Sequence, residues 1–155
     1  MRQNFTKHSE KLYLGNHTDE KAQSELERAL ALDPSRTHAL YLLGRLYVQK
    51  RDNEKALSYL QLALRLQPDL AEASSLLGTA YVRLGQFANA IPKLEKAAPI
   101  DHYGNVHYQL YLAYRKLGQS ELAQKALARS QDLRRSSLEH DQALILGAPQ
   151  PDPER

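Results

Sequence analysis

The sequence contains no cysteine and no tryptophan, and it has only one methionine and two phenylalanines among its 155 residues. Without cysteine, disulfides, zinc–thiolate sites and a cysteine nucleophile are excluded. No apolar run approaches the roughly 20 residues that a membrane-spanning helix needs. The opening residues, MRQNFTKHSEK, also lack the apolar segment of a secretory signal. We therefore expect a cytoplasmic location by default, and a secreted or periplasmic one only if a leader lies upstream.

Strong charge of one sign is missing as well. The formal net charge is +3, which by itself is too small to indicate a nucleic-acid-binding protein. Apolar residues make up 42% of the chain, a fraction typical of globular proteins. Leucine and alanine are abundant, which favours helix over sheet. The length allows either one domain with a core or a stack of small units.

An internal repeat is the main positive feature of the sequence. One constant shift, the spacing from Tyr13 to Tyr47, aligns Tyr13, Tyr47 and Tyr81; Ala22, Ala56 and Ala90; Leu26, Leu60 and Leu94; and Ala29, Ala63 and Ala97. A further step, shorter by one position, carries this pattern on to Tyr114, Ala123 and Leu127. Recurrence at so many positions indicates a repeat architecture.

Each period contains two helical patterns that are separated by polar residues. First helices are predicted at 37–50, 71–84 and 104–117, and second helices at 19–32, 53–66, 87–98 and from 120 onward. Thr18, Asp52 and Ser120 stand where N-caps are expected, and Pro34 and Pro68 follow second helices. Pro99 comes early, so we expect the second helix of the third repeat to end early.

Small residues recur where the two helices of a repeat should meet. Gly44 and Gly78 in first helices, with Ala56 and Ala90 in second helices, would allow the helix backbones to approach closely. A glycine within a helix costs about 1 kcal/mol relative to alanine. We therefore expect close packing at these positions, and a cost of about 1–3 kcal/mol if they are filled.

The clearest repeat carries Leu40, Leu43, Gly44, Tyr47, Ala56, Leu60, Ala63 and Pro68. In these residues and in its period, the chain resembles the tetratricopeptide repeat family, over positions 18 to 130 approximately. The resemblance implies an all-α fold, an α-solenoid in which antiparallel helix pairs form a right-handed superhelix. It also implies that the first helices line a concave groove and that the protein binds other proteins as a scaffold or adaptor.

The two ends depart from the repeat pattern. Ser9 and Glu10 stand where leucine and glycine belong, while Tyr111 occupies the glycine position of repeat four and Ser130 its small-residue position. The expected division is a divergent first helix of repeat one at 1–17, about 3.5 repeats at 18–130, a C-terminal extension or capping helix at 131–146, and a disordered tail at 147–155. A break of the terminal helix near residues 136–137 is the alternative to one long helix.

The exposed stripe of the first helices is the candidate binding surface. Its predicted partner-binding residues are His38, Tyr41, Arg45, Gln49, Ser75, Thr79, Arg83, Tyr108, Leu112, Arg115 and Lys116. The same stripe contains Val48, Glu72, Val82 and Asn105, and Lys7 and Lys11 would extend it into repeat one. Lysine and arginine thus outnumber carboxylates six to one on this stripe. Tyrosine and arginine are also the residue types enriched at binding hot spots.

These residues lead to the hypothesis of a protein or peptide partner that carries acidic groups, because the arginine fork binds a carboxylate with two hydrogen bonds. Some family members clamp a C-terminal carboxylate, but only Lys7 fits that set here, so membership of this subclass is not expected. Three alternatives stay open: solvated helix faces without a binding role, homo-oligomeric self-assembly through the terminal helix, and, with less support, a nucleic-acid-binding helical repeat.

Catalytic and metal-binding patterns are missing from the sequence. The six histidines show no metal-ligand spacing on one helix. No nucleophile elbow, phosphate-binding glycine loop or dinucleotide fingerprint occurs. We therefore expect no enzyme activity, no cofactor and no small-molecule substrate.

Overall fold

The structure is a computed structural model that describes the backbone of residues 6–147 and the side chains of residues 18–147. This part of the chain is helical, without strands. Its elements are α1 (Thr6–Leu32), α2 (Thr37–Gln49), α3 (Asn53–Leu66), α4 (Ala71–Arg83), α5 (Phe87–Ala97), a 3₁₀ turn (Ala98–Ile100), α6 (Asn105–Lys116) and α7 (Ser120–Ile145). None of these helices has the length and apolar character required to cross a bilayer.

The helices pack in chain order, each against the next. In addition, α2 contacts α4 and α4 contacts α6, whereas the second helices α3 and α5 are not in close contact with each other. The first helices therefore approach each other more closely than the second helices do. This arrangement confirms the predicted all-α solenoid of antiparallel helix pairs.

The glycines of the first helices lie against leucines of the second helices. A Cβ atom at Gly44 would stand 2.5 Å from Leu60 Cδ2, and one at Gly78 would stand 2.5 Å from Leu94 Cγ. Both leucines are completely buried. Because carbon atoms normally pack at about 3.5–4.0 Å, neither position has room for a side chain. The predicted close packing at these two glycines is confirmed.

A second recurring contact joins neighbouring repeats through tyrosine hydroxyl groups. The hydroxyl of Tyr47 donates to Glu27 at 3.4 Å, and that of Tyr114 donates to Glu95 Oε1 at 2.6 Å. In the repeat between them, Gln61 donates to the hydroxyl of Tyr81 at 2.8 Å. In each case a second helix is tied to the first helix of the following repeat. Burial, followed by the Glu95 contact, raises the pKa of Tyr114 to about 12.

The turns inside the repeats share one backbone conformation. Arg51, Gly85 and Gly118 occupy equivalent positions with φ of 61°, 74° and 74°. Asp52 is confirmed as an N-cap, because its side chain accepts a hydrogen bond from the Lys55 amide. The N-cap of α7 is Gln119, so the prediction for Ser120 was one residue late.

The structure tests where the predicted helices begin, end or break. Helix α5 ends at Ala97 and is followed by the 3₁₀ turn that contains Pro99, which confirms its early end. The N-cap predicted at Thr18 was wrong, since α1 runs through this residue without interruption. Helix α7 likewise continues through residues 136–137. The division at 17 and 131 falls inside α1 and α7 and stays a prediction, and residues 148–155 of the predicted tail lie outside the described part.

Candidate functional site: the exposed face of the first helices

We use the term first-helix face for the predicted partner-binding residues on α2, α4 and α6. The contacts of α2 with α4 and of α4 with α6 place these three helices side by side. Most of their buried residues pack against the second helices, so the opposite sides form one surface along the stack. The residues of this surface are partly or largely solvent-exposed, and the most enclosed of them on α4 are Ser75 and Thr79.

On α2, the face contains an aromatic and cationic cluster. The guanidinium of Arg45 lies 5.9 Å from the centre of the half-buried Tyr41 ring, within the range of a cation–π contact. The His38 ring lies 6.1 Å from the same ring. His38, Arg45 and Gln49 are exposed. Arg45 thus lies beside the tyrosine ring and is exposed to solvent.

On α4, the predicted residues make contacts within the protein. The Thr79 hydroxyl donates to the Ser75 carbonyl at 3.0 Å, and both residues are half-buried. The guanidinium of Arg83 donates to the Val48 carbonyl, near the end of α2, at 2.8 Å. A cation at the carboxyl end of a helix interacts favourably with the helix dipole. Arg83 therefore joins two repeats and is less available to a partner than Arg45.

On α6, tyrosine and arginine again lie together. Arg115 donates to the Tyr111 hydroxyl at 3.0 Å, and its guanidinium lies 5.9 Å from that ring. Tyr108, which is 37% exposed, lies 5.7 Å from Tyr111, ring centre to ring centre. The guanidinium of Arg134 of α7 lies 5.3 Å from the centre of the Tyr108 ring. Leu112 is half-buried, and Lys116 is exposed.

The structure corrects part of the prediction for the other residues of the exposed stripe. Val48 is only 6% exposed and belongs to the core, because α4 packs over this part of α2. Val82 is half-buried and packs against the core of the last two repeats. Glu72 and Asn105 are exposed as predicted. The side chains of Lys7 and Lys11 lie outside the described residues.

Open clefts border the helices. One of about 240 Å³ lies at the start of α2 and α4 and is lined by Thr37, His38, Tyr41, Gln67, Leu70 and Glu72. One of about 180 Å³ lies between α1 and α2 and is lined by Asp19, Ala22, Leu26, Leu42, Arg45, Leu46 and Gln49. A third of about 370 Å³ lies among α3, α4 and α5, with Arg65 and Lys93 on its wall. The first two adjoin Tyr41 and Arg45.

One polar pair was not predicted from the sequence. Asp101 is almost completely buried, and its Oδ2 accepts a hydrogen bond from the His107 amide at 2.9 Å and lies 2.7 Å from His107 Nδ1. Burial alone would raise the pKa of the Asp101 carboxyl, but the hydrogen bonds from His107 and Val106 outweigh it and lower this pKa. The pair fixes the start of α6. In the sequence, the only sign of the pair of Asp101 and His107 is an aspartate shortly before a predicted first helix.

Metal ligands do not converge in the part of the chain whose side chains are described: no three histidine, aspartate or glutamate side chains there could hold one ion. On the first-helix face, Arg45 and Arg115 are exposed and lie beside the rings of Tyr41 and Tyr111.

Comparisons with known proteins agree with this fold. Two family models, both described as tetratricopeptide repeat, match residues 11–71 and 43–107, which together are more than half of the chain. No curated protein sequence matches. Among solved structures, "Crystal structure of MamA" is 25% identical with a TM-score of 0.70 and covers 83% of this chain and 76% of its own. A MamA AMB-1 structure is 26% identical with a TM-score of 0.69, and the match covers 79% of this chain and 68% of the MamA chain.

A third structure shows the fold alone, since its sequence identity is 24%. It is MamA, residue 41 to the end, from Desulfovibrio magneticus RS-1, with a TM-score of 0.70 and coverage of 82% of this chain and 72% of its own. All three are therefore similar to this chain over most of its length. The similarity in shape extends over several repeats rather than over one helix pair.

Proposed function

We propose that this protein, which belongs to the tetratricopeptide repeat family, binds an extended acidic segment of a partner protein on the first-helix face. The fold is that of a protein-interaction scaffold. The observation that supports the acidic ligand is the exposed Arg45 guanidinium, held against Tyr41. None of the described carboxylates forms an ion pair with Arg45 or Lys116.

Packing keeps the ordering cost of binding low. Tyr41 is half-buried and Arg45 stacks on it, so neither side chain has to be ordered from a fully mobile state when a carboxylate binds. Tyr111 and Arg115 repeat the arrangement at the other end of the face. A short peptide that spans this distance is expected to bind with micromolar affinity, about −8 kcal/mol.

Charge reversal tests the proposal. Arg45→Glu combined with Lys116→Glu removes two exposed cations, whereas Arg83 is left in place because it donates to Val48 and its loss would disturb packing. We expect hexaglutamate peptide, measured by fluorescence anisotropy, to bind at least about tenfold more weakly, about 1.4 kcal/mol. Its affinity for the unchanged protein should also fall as salt screens the charges.

The cleft on the other side of the stack provides the matched control. Arg65→Glu combined with Lys93→Glu changes the net charge by the same amount, but at the cleft among α3, α4 and α5. This variant should bind hexaglutamate nearly as well as the unchanged protein. If it loses binding while the Arg45 and Lys116 variant keeps it, the site lies among α3, α4 and α5 and the proposal fails.

Self-assembly through α7 is a second candidate, favoured by one observation. The last part of α7 exposes large apolar side chains, including Leu138 at 61%, Leu144 at 55% and Ile145 at 83%. Exposed apolar surface of this kind marks interaction sites. If copies associate here, Leu144→Glu with Ile145→Glu should convert an oligomer to a monomer in sedimentation velocity. A monomer at all concentrations before the change would dismiss this candidate.

A further inference from the structure

The cleft among α3, α4 and α5 lies at a junction, by which we mean the place where the second helix of one repeat meets the next repeat. We use the term central cleft for this site of about 370 Å³, which is lined by Gln61, Leu64, Arg65, Leu77, Tyr81 and Lys93. Two of its residue types recur at the equivalent positions of the neighbouring junctions, as Leu43, Leu77 and Leu110 and as Tyr47, Tyr81 and Tyr114. Packing of the stack therefore explains this leucine and this tyrosine.

The polar residues of the central cleft do not recur. At the positions of Gln61, Arg65 and Lys93, the preceding junction has Glu27, Ala31 and Tyr59, and the following junction has Glu95, Pro99 and Ala126. Each neighbouring junction thus has one carboxylate and no cation at these positions, whereas the central cleft has two cations and no carboxylate. Packing that is common to the three junctions does not account for this difference in charge.

The tyrosine of the central cleft also has a different hydrogen-bond partner. The equivalent tyrosine hydroxyls of the neighbouring junctions donate to carboxylates, those of Glu27 and Glu95. The hydroxyl of Tyr81 instead contacts the uncharged amide of Gln61, at 2.8 Å. Together this amide and this hydroxyl have three polar hydrogens, and the bond between them uses one. Two hydrogen-bond donors are therefore left for a ligand, whichever way the amide is turned.

The two cations of the central cleft have no acidic partner within residues 18–147. None of the ion pairs found there involves Arg65 or Lys93. Lys93 is half-buried, and it is unfavourable to remove a charge from water without a partner. Arg65 stands four residues after Gln61, on the same side of α3. Because like charges at one cleft also repel each other, a bound anion would offset both costs.

We propose that the central cleft binds a phosphate monoester. Its phosphoryl group carries about −1.5 to −2 charges at pH 7 and has three acceptor oxygens. These match two cations and the remaining donors of Gln61 and Tyr81. A carboxylate has one charge and two oxygens, so it would leave one of the cations without a partner.

The organic part of the ligand also has a contact surface. Leu64 and Leu77 line the central cleft together with Tyr81, so apolar side chains lie beside the anion-binding groups. A small phosphate ester and a phosphorylated side chain of a partner protein share this chemistry. The inference is independent of the proposed function, because the central cleft and the first-helix face have no residue in common.

Two probes with the same ring but different anionic groups test the ligand class. By isothermal titration calorimetry, we expect phenyl phosphate to bind the unchanged protein at least about tenfold more tightly than benzoate does. Equal affinities would overturn the inference. So would titrations in which phenyl phosphate shows no saturable binding.

Neutralising the two cations tests the location. Arg65→Gln combined with Lys93→Gln should weaken phenyl phosphate binding at least about tenfold. The matched control, Lys125→Gln with Arg129→Gln, removes two exposed cations of α7 and should leave the dissociation constant nearly unchanged. If the first variant binds phenyl phosphate as well as the control does, the central cleft is not the site.

Gln61→Glu tests the site with a residue that the stack already uses elsewhere. The change introduces the carboxylate that Glu27 and Glu95 supply at equivalent positions, so the Tyr81 hydroxyl gains the same kind of acceptor. We expect the urea unfolding midpoint to stay or rise. Phenyl phosphate binding should fall at least about tenfold, because the new carboxylate repels the phosphate and lies one helical turn from Arg65. Undiminished binding by this variant would contradict the inference.

A pentapeptide with phosphotyrosine between alanines distinguishes the two sources of the ligand. Binding at least about tenfold tighter than that of phenyl phosphate supports a site for a phosphorylated partner, and equal binding supports a site for a small ester.

Hexaglutamate separates this inference from the proposed function. Its affinity should not change when phenyl phosphate is present, because the two ligands occupy different surfaces. If Arg45→Glu with Lys116→Glu abolishes phenyl phosphate binding while Arg65→Gln with Lys93→Gln preserves it, the phosphate binds on the first-helix face and the inference fails. The proposed function is judged by hexaglutamate binding alone.

Discussion

Replacing Gly78 by alanine should destabilise the protein, although alanine is the better helix former. The new methyl group would lie 2.5 Å from Leu94 Cγ, 2.6 Å from Leu94 Cδ2 and 3.3 Å from the Leu94 backbone nitrogen. Carbon contacts are normally about 3.5–4.0 Å. To restore such contacts Leu94 would have to move by about 1 Å, and it is completely buried between α4 and α5.

Two opposing effects set the magnitude. Alanine gains about 1 kcal/mol over glycine within a helix. Overpacking of a filled core costs about 1–3 kcal/mol, and the upper end applies because the clash involves Cγ and a backbone atom. The net expectation is a loss of about 2 kcal/mol. In a chain of this size that corresponds to a fall in Tm of about 4–8 °C.

The same substitution should have the opposite effect when Leu94 is alanine. Leu94→Ala alone should cost about 2–5 kcal/mol by leaving a cavity. In that background the methyl group of Gly78→Ala enters free space, so only the gain of about 1 kcal/mol in helix propensity remains. The coupling between the two sites is then about 3 kcal/mol, within the range found for residues in contact.

Urea unfolding followed by circular dichroism and by tyrosine fluorescence would measure these free energies, and agreement of the two probes would establish that the transition is cooperative. Gly85→Ala serves as the control. Nothing lies within 4 Å of a Cβ there, but its φ is +74°, so the loss should be about 1 kcal/mol and independent of Leu94. If Gly78→Ala stabilises the otherwise unchanged protein, the close helix contact on which the fold argument depends is refuted.

Two further predictions concern a hydrogen bond between repeats and a turn within a repeat. Tyr114→Phe removes the hydrogen bond to Glu95 and should cost about 1 kcal/mol in urea unfolding. Because the folded pKa of Tyr114, about 12, lies above the ordinary value of about 10, its contribution is complete below pH 10. That contribution is lost between pH 10 and 12, so Tyr114→Phe should flatten the fall of Tm over this range, and an equal fall in both proteins would contradict the assignment. Arg51→Gly should stabilise by about 1 kcal/mol, because the φ of 61° suits glycine. Arg51→Lys should leave Tm unchanged, and no gain from glycine would mean that the turn carries no strain.

The interior repeats could be predicted from the sequence because their contacts recur. Gly44 and Gly78 meet the same leucine position one helix later, and a single shift by one period shows both pairs. The tyrosine contacts between repeats also recur, at Glu27, Gln61 and Glu95, but acidic residues are common on exposed helix faces. Their role became visible only when the distance to the tyrosine hydroxyl groups was known.

The ends and the face could be predicted only in part, because their structure depends on what packs beside them. The stripe on α2 was derived from one helix pair, so it could not show that α4 covers Val48 or that Arg83 donates to its carbonyl. Thr18 looked like an N-cap from its position in the repeat. In the structure, α1 runs through this residue, so no cap forms there.

At equivalent positions of the first helices, the buried residues are alike in the three repeats, whereas the exposed residues differ. Leu43, Leu77 and Leu110 occupy one equivalent position and are all buried, since each must fill the same space. Two positions later come Arg45, Thr79 and Leu112, which share neither charge nor size. Packing imposes no common residue on this second set. On the proposed function, we expect the residues that select a partner to belong to the second set and its exposed neighbours, where a change of charge should alter binding without moving the unfolding midpoint.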